Sequence, residues 1–247
     1  MRAMTPAVIE LGRAEGARGE IRLRRRIEDG VGIDELVING VFAMDSAETA
    51  TERALGRLAG TTRPGARVLV GGLGLGYTVA AVLEHDVAAV DVVELEPVLL
   101  DWARSGLTDT LRAVGADPRV RLIAGDVADL VADAALAGSA PGTWDAIVLD
   151  VDNGPDFLIH RANAALYEEH WLRTALGRLR PGGLLAIWCQ GPAPGLRAGL
   201  ERVAAGAAEL RFEVARGKRR LEYVIYTATA ADRPADPGRP SGHRGPE

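Results

Sequence analysis

The 247-residue chain is 47% hydrophobic, with a formal net charge of −5 and a pI near 5.5; that supplies the core of one α/β domain and excludes a protein mainly devoted to wrapping nucleic acid or coating anionic membrane. No apolar run reaches the ~20 residues that span a bilayer, and the first residues lack the apolar centre of a signal peptide, so a cytoplasmic protein acting on small molecules is expected. A single cysteine, Cys189, and four histidines without metal-ligand spacing argue against an intramolecular disulfide and against a bound metal.

Residues 7–44 read as extended pieces: Val8-Ile9-Glu10-Leu11, the alternating Ile21-Arg22-Leu23-Arg24, and Glu35-Leu36-Val37-Ile38 joined to Val41-Phe42-Ala43-Met44 by Asn39-Gly40. Asn-Gly between apolar runs is a strong hairpin signal, because both central residues of a type I′ turn need positive φ. Residues 1–45 are therefore a small β-hairpin appendage, and the arginines at 22, 24, 25 and 26 form the solvated face of a strand. From Ser46 a helical pattern runs through Leu55 and Leu58 to Gly60, and Arg63-Pro64-Gly65 breaks into the main domain.

Strand-like runs at 68–70, 90–93, 120–123, 146–149 and 184–187 alternate with helical stretches, the pattern of right-handed βαβ units in a parallel sheet. Two further runs, 211–216 and 221–227, are separated by too few residues for a crossover helix and must pair antiparallel. The expected fold is α/β and Rossmann-like: a mostly parallel seven-stranded sheet ending in an antiparallel hairpin over 46–230, the arrangement of class I methyltransferases and their relatives. The tail, 231–247, carries Pro234, Pro237 and Pro240 with several glycines and no apolar period, and is expected to be disordered.

The sharpest motif is Val70-Gly71-Gly72-Leu73-Gly74-Leu75-Gly76-Tyr77 between the first core strand and a helix. Glycines at 72, 74 and 76 let the backbone turn tightly and approach a ligand; a dinucleotide fingerprint would need glycine where Tyr77 stands. Three acids end the next strands. Glu94 is placed to accept ribose hydroxyls, Asp126, followed by Val127, to accept an adenine amino group or cap a helix over 127–137, and Asp150 to face the reacting end. Asp152, Asn153 and Gln190 share that rim as candidate acceptor-binding residues, with turn formation before Gly154-Pro155 an equal reading for the first two. Cys189 reads as an inert buried thiol.

Residues 33–228 resemble the spermidine synthase family, on Ile38-Asn39-Gly40-Val41, the glycine loop, Val92-Val93-Glu94-Leu95-Glu96-Pro97, Asp117-Pro118-Arg119-Val120 leading to Gly125-Asp126, Trp144-Asp145 before Asp150, and Leu179-Arg180-Pro181-Gly182-Gly183. The resemblance implies that Glu94 holds the ribose, Asp126 reads the adenine, and Asp150 is the catalytic acid residue facing the acceptor. Three positions depart from the family: Leu75 stands where it has an aspartate, Phe42 where it has glutamine, and Thr51 where a tyrosine lines the polyamine slot. Ammonium groups taken from water need such partners.

These departures give the leading expectation, an S-adenosylmethionine-dependent methyltransferase acting on a small molecule. An aminopropyltransferase using decarboxylated S-adenosylmethionine is the alternative, and a non-catalytic nucleoside-binding scaffold that dimerises through the β appendage is the third reading. Neither nucleic acid nor membrane is an expected partner.

Overall fold

The computed structural model describes residues 7–16, 19–133, 143–158, 160–216 and 219–232. Four strands at the N-terminus, β1 (Val8–Gly16), β2 (Gly19–Glu28), β3 (Val31–Ile38) and β4 (Val41–Asp45), pair as an antiparallel meander in chain order. The expected Asn39-Gly40 turn joins β3 to β4, with φ of 53° and 75° at the two positions. Ile21 and Leu23 point inward and are fully buried, while the alternating arginines face the other way. Those arginines are not a free basic patch: Arg25 meets Asp34 at 2.6 Å, Arg24 meets Glu35 at 2.8 Å directly across the β2–β3 register, and Arg26 also reaches Glu35 at 2.8 Å.

Helix α1 (Ala50–Gly60) leads into the main sheet and begins four residues later than Ser46, because Asp45 and Ser46 are spent on the turn: Asp45 accepts from the amides of Ala47 and Glu48, and Ser46 accepts from Asp34 N. The main domain then runs β5 (Ala66–Gly71), α2 (Tyr77–Leu83), β6 (Val87–Glu94), α3 (Pro97–Ser105), α4 (Asp109–Ala116), β7 (Val120–Ala124), α5 (Val127–Ala132), β8 (Trp144–Leu149), a 3₁₀ turn over Arg161–Tyr167, α6 (Glu169–Arg178), β9 (Leu179–Cys189), α7 (Pro194–Val203), β10 (Gly206–Arg216) and β11 (Arg219–Thr229). Helix α5 closes at Asp133, short of 137; residues 134–142 and the proline-rich tail from 233 lie outside the described residues.

The seven strands order as β10-β11-β9-β8-β5-β6-β7; the four pairings from β9 to β7 are parallel, and β11 pairs antiparallel with both β9 and β10. The fold is the expected Rossmann-like α/β arrangement. Both faces of the sheet are covered, which is why its inner strands are almost continuously apolar. Along β5, Val68 and Val70 enter the core shared with α1–α4 and the N-terminal sheet, whereas Leu69 enters the core shared with α5–α7. The chain leaves β5 toward β6 on one side and is rejoined by β8 on the other, so a crevice opens beyond the carboxyl ends of β5 and β8, the usual ligand position in open α/β sheets.

Candidate active site

The glycine loop after β5 forms the floor of this crevice. At Gly72 φ is +88°, and a Cβ there would run into the carbonyl oxygen of Asp150, so only glycine lets this loop pass the end of β8. Backbone bonds stitch the strand ends together: Asp150 N donates to Gly71 O at 2.8 Å, Gly72 N to Val93 O at 2.8 Å and Gly125 N to Glu94 O at 3.0 Å. The three acids expected at the strand ends are thereby held along one rim.

The crevice is lined by Gly72, Gly74, Glu94, Asp126, Val127, Asp150, Asp152 and Asn153 among others, a concave space at the strand ends where open α/β sheets take small molecules. Gly76 does not line it; this residue sits at the start of α2, facing Leu111 and Val114. Gln190 lies further out, on an adjoining chamber. Its amide donates to Asn153 O at 2.9 Å, tying the β9 end to the β8 loop.

Glu94 is buried, and its two carboxylate oxygens accept from Leu73 N at 2.8 Å and Glu96 N at 2.9 Å. Burial pushes its carboxyl above the ordinary range, opposed by these amides. Asp126 both lines the crevice and caps α5, accepting from Ala128 N at 2.8 Å. Asp150 accepts the Thr78 hydroxyl at 2.6 Å; burial raises its carboxyl too, and the Thr78 bond works against that rise. Asp152 is tied into its own loop, with Oδ1 taking Asn153 N at 3.1 Å and Oδ2 taking His160 N at 3.2 Å and Asn163 Nδ2 at 3.0 Å. Its geometry is that of a loop fastener. Burial pushes the Cys189 thiol up to about 12, so it is not a thiolate at neutral pH.

Sequence reasoning missed Glu52, Thr78 and Asn163. Thr78 lies in the first turn of α2, and its hydroxyl holds the Asp150 carboxylate. Glu52, on α1, is 5% exposed and lines both the crevice and the outer chamber. Thr51, by contrast, is fully buried, lines neither space, and donates to Glu52 Oε2 at 2.8 Å. Leu75 is likewise buried in the core, and Phe42 sits at the outer chamber while Ala43 and Met44 reach the crevice itself.

The electrostatics of the crevice are one-sided. Among the described residues lining it are five carboxylates, Glu52, Glu94, Asp126, Asp150 and Asp152, and no lysine, arginine or histidine; the chamber likewise has no cationic side chain. Such a space favours a cationic ligand and offers no cation to a ligand carboxylate.

No family model matches the chain. Two curated relatives do: polyamine aminopropyltransferase 2 of Pseudomonas aeruginosa, 32% identical over 125 residues (49% of this chain, 32% of the relative), and the polyamine aminopropyltransferase of Nitrosomonas europaea, 31% identical over 129 residues (51% and 36%). The match thus spans about a third of the length of these relatives. Spermidine synthase from Thermotoga maritima shares the fold at a TM-score of 0.70 and 17% identity, covering 92% of this chain and 75% of that one. A spermidine synthase in complex with the transition state analogue AdoDATO gives a TM-score of 0.69, also at 17% identity, over 92% and 74%. The chain thus has a spermidine synthase-like fold and local sequence similarity to polyamine aminopropyltransferases. The methyltransferase expectation is corrected: the sequence relatives are named as aminopropyltransferases, and the reason for preferring methyl transfer, lost ammonium partners at 42, 51 and 75, overlooked the carboxylate that α1 supplies at Glu52. No helix among the described residues is long and apolar enough to cross a membrane.

Proposed function

We propose that this protein transfers the aminopropyl group of decarboxylated S-adenosylmethionine to a small amine. The observation that carries the reading is the carboxylate-only lining of the crevice. Intact S-adenosylmethionine would bring an α-carboxylate into a space already holding five acids, whereas its decarboxylated form ends in an ammonium that these acids attract.

The roles follow the order of the rim. Asp126 and Val127 face the adenine, Glu94 the ribose, and Gly72 and Gly74 allow close approach of the loop to the sugar and sulfur. At the reacting end Asp150, aimed by Thr78, orients the acceptor amine. The amine lone pair forms the new C–N bond as the C–S bond breaks, with that electron pair staying on sulfur; the neutral thioether methylthioadenosine departs, and the proton lost by nitrogen goes to Asp150. An acid whose carboxyl is raised by burial is suited to that proton. Positioning supplies most of the remaining barrier reduction, since the sulfonium already carries the charge of a good leaving group. Asn153 and Gln190 border the acceptor's path.

The test is incubation of the purified protein with decarboxylated S-adenosylmethionine and an amine panel, following methylthioadenosine. Amine-dependent release is the expected result. Methyl transfer from intact S-adenosylmethionine with no such release would overturn the proposal.

A further inference from the structure

We infer that the accepted amine carries one ammonium group on an otherwise neutral body; this rests on the aminopropyl-transfer reading and names its substrate class. The outer chamber shares Ala43, Met44, Glu52, Asn153 and Trp188 with the crevice, so the two spaces open into each other there. Beyond that mouth the chamber adds only Phe42, Gln190, Leu221 and Tyr223. Its one carboxylate among the described residues, Glu52, therefore stands at the mouth, beside the reacting end, and its distal wall is neutral.

A linear diamine would have to put its second ammonium against that distal wall. An ammonium is donor-only and needs carboxylate or carbonyl oxygens when it leaves water. The wall offers an apolar Leu221, the Phe42 ring, the neutral phenol of Tyr223 and the neutral amide of Gln190, and no carboxylate to match the ammonium's charge. Trp188, at the mouth, adds no acceptor: it is 8% exposed, its ring packs edge-on against Tyr223 at 5.1 Å and 75°, and its indole Nε1–H is buried without a hydrogen-bond partner. That group is itself a donor, so it gives an ammonium no acceptor. Aromatic faces attract cations, but such contacts are weaker than the carboxylate partners a buried ammonium requires. Glu52 thus selects for the near ammonium and the distal wall against a far one.

The two amines that isolate this difference are n-pentylamine and putrescine, which match in length and differ in a terminal methyl against a terminal ammonium. Calorimetric titration of each into the protein loaded with methylthioadenosine, paired with kcat/KM from methylthioadenosine release, should favour n-pentylamine by about tenfold or more. Glu52→Gln should weaken both amines, and Phe42→Glu, at the more exposed edge of the wall, should shift the preference toward putrescine by about tenfold; Leu221→Glu provides a second, deeper placement of the same charge. Equal or tighter binding of putrescine to the unaltered protein, or no measurable binding of either amine, would overturn the inference. If neither amine yields methylthioadenosine, the transfer reading fails on that result alone, while the titrations still rank the two amines and decide the present inference.

Discussion

The two ends of the parallel sheet hold their acids in opposite ways. Toward the amino ends and mid-strand, carboxylates are matched by arginines: Asp145 meets Arg63 at 3.2 Å and Arg180 at 3.6 Å, Asp91 meets Arg121 at 2.8 Å, and Asp117 meets Arg119 at 2.8 Å. At the carboxyl ends Glu94, Asp126 and Asp150 bond to backbone amides or a hydroxyl, with no cation lining the crevice around them. Matched acids hold strands and helices in register. Acids kept from cations in a cleft leave the molecule with a charge that a ligand must answer, and burial of unpaired charge is a cost a purely structural site does not carry.

The contrast breaks most visibly at Asp150. Asp150→Asn keeps the shape and an oxygen for Thr78 but removes the charge, so methylthioadenosine release should fall by roughly 10²–10⁴ while donor affinity changes little. Kinetics and titration on the same preparation check this; loss of binding in step with turnover would move Asp150 to a donor-holding role. Next in size, Glu94→Ala should weaken methylthioadenosine binding by about 10–100-fold, the worth of a charge-assisted bond of about 1.5–3 kcal/mol. An unchanged dissociation constant contradicts the ribose assignment.

At the matched end the expected effect is on stability alone. Asp91 also accepts the Trp144 indole N–H at 2.9 Å in the core, so Asp91→Ala should cost about 1–3 kcal/mol in denaturant unfolding and leave nucleoside affinity unaltered.

The smallest effects are in the pH dependence of the empty protein, where the two ends have opposite signs. Glu94 and Asp150 are raised by burial, so their contribution favours the fold below their unfolded values of about 4 and is lost as pH rises through the folded values. The Arg119 hydrogen bond holds the Asp117 carboxyl low, so its contribution is present above about 3.9 and fades as pH falls through the folded value. Thermal melts should therefore show Asp150→Asn slightly more stable than the parent at pH 7, with the gain shrinking in acid, and Asp117→Asn slightly less stable at pH 7, with that loss shrinking in acid.

Much of the frame was legible because it rests on local signals. Periodicity marked the five core strands, Asn39-Gly40 fixed its hairpin, and the short link after Arg216 forced β10 and β11 antiparallel. Acids at strand ends could be placed on one rim because strand ends in a parallel sheet are neighbours. Glu52 could not be read that way: it lies in an ordinary amphipathic helix, and only the docking of α1 over the crevice brings its carboxylate to the ligand side. The pairing of Arg24–Arg26 with Asp34 and Glu35 was hidden for the same reason, since register decides which charges face each other. Thr78 and Asn163 act on acids 72 and 11 residues away, a relation no spacing rule contains.

On the proposed reading the crevice accepts a cation and rejects a carboxylate. Calorimetric titration of the unmodified protein with decarboxylated and intact S-adenosylmethionine measures this directly, since the two ligands differ only in that carboxylate. Tighter binding of the decarboxylated form by about tenfold or more is expected, the scale of a like-charge contact in a partly buried site; equal affinity, or preference for the intact form, would contradict a crevice that selects a cation.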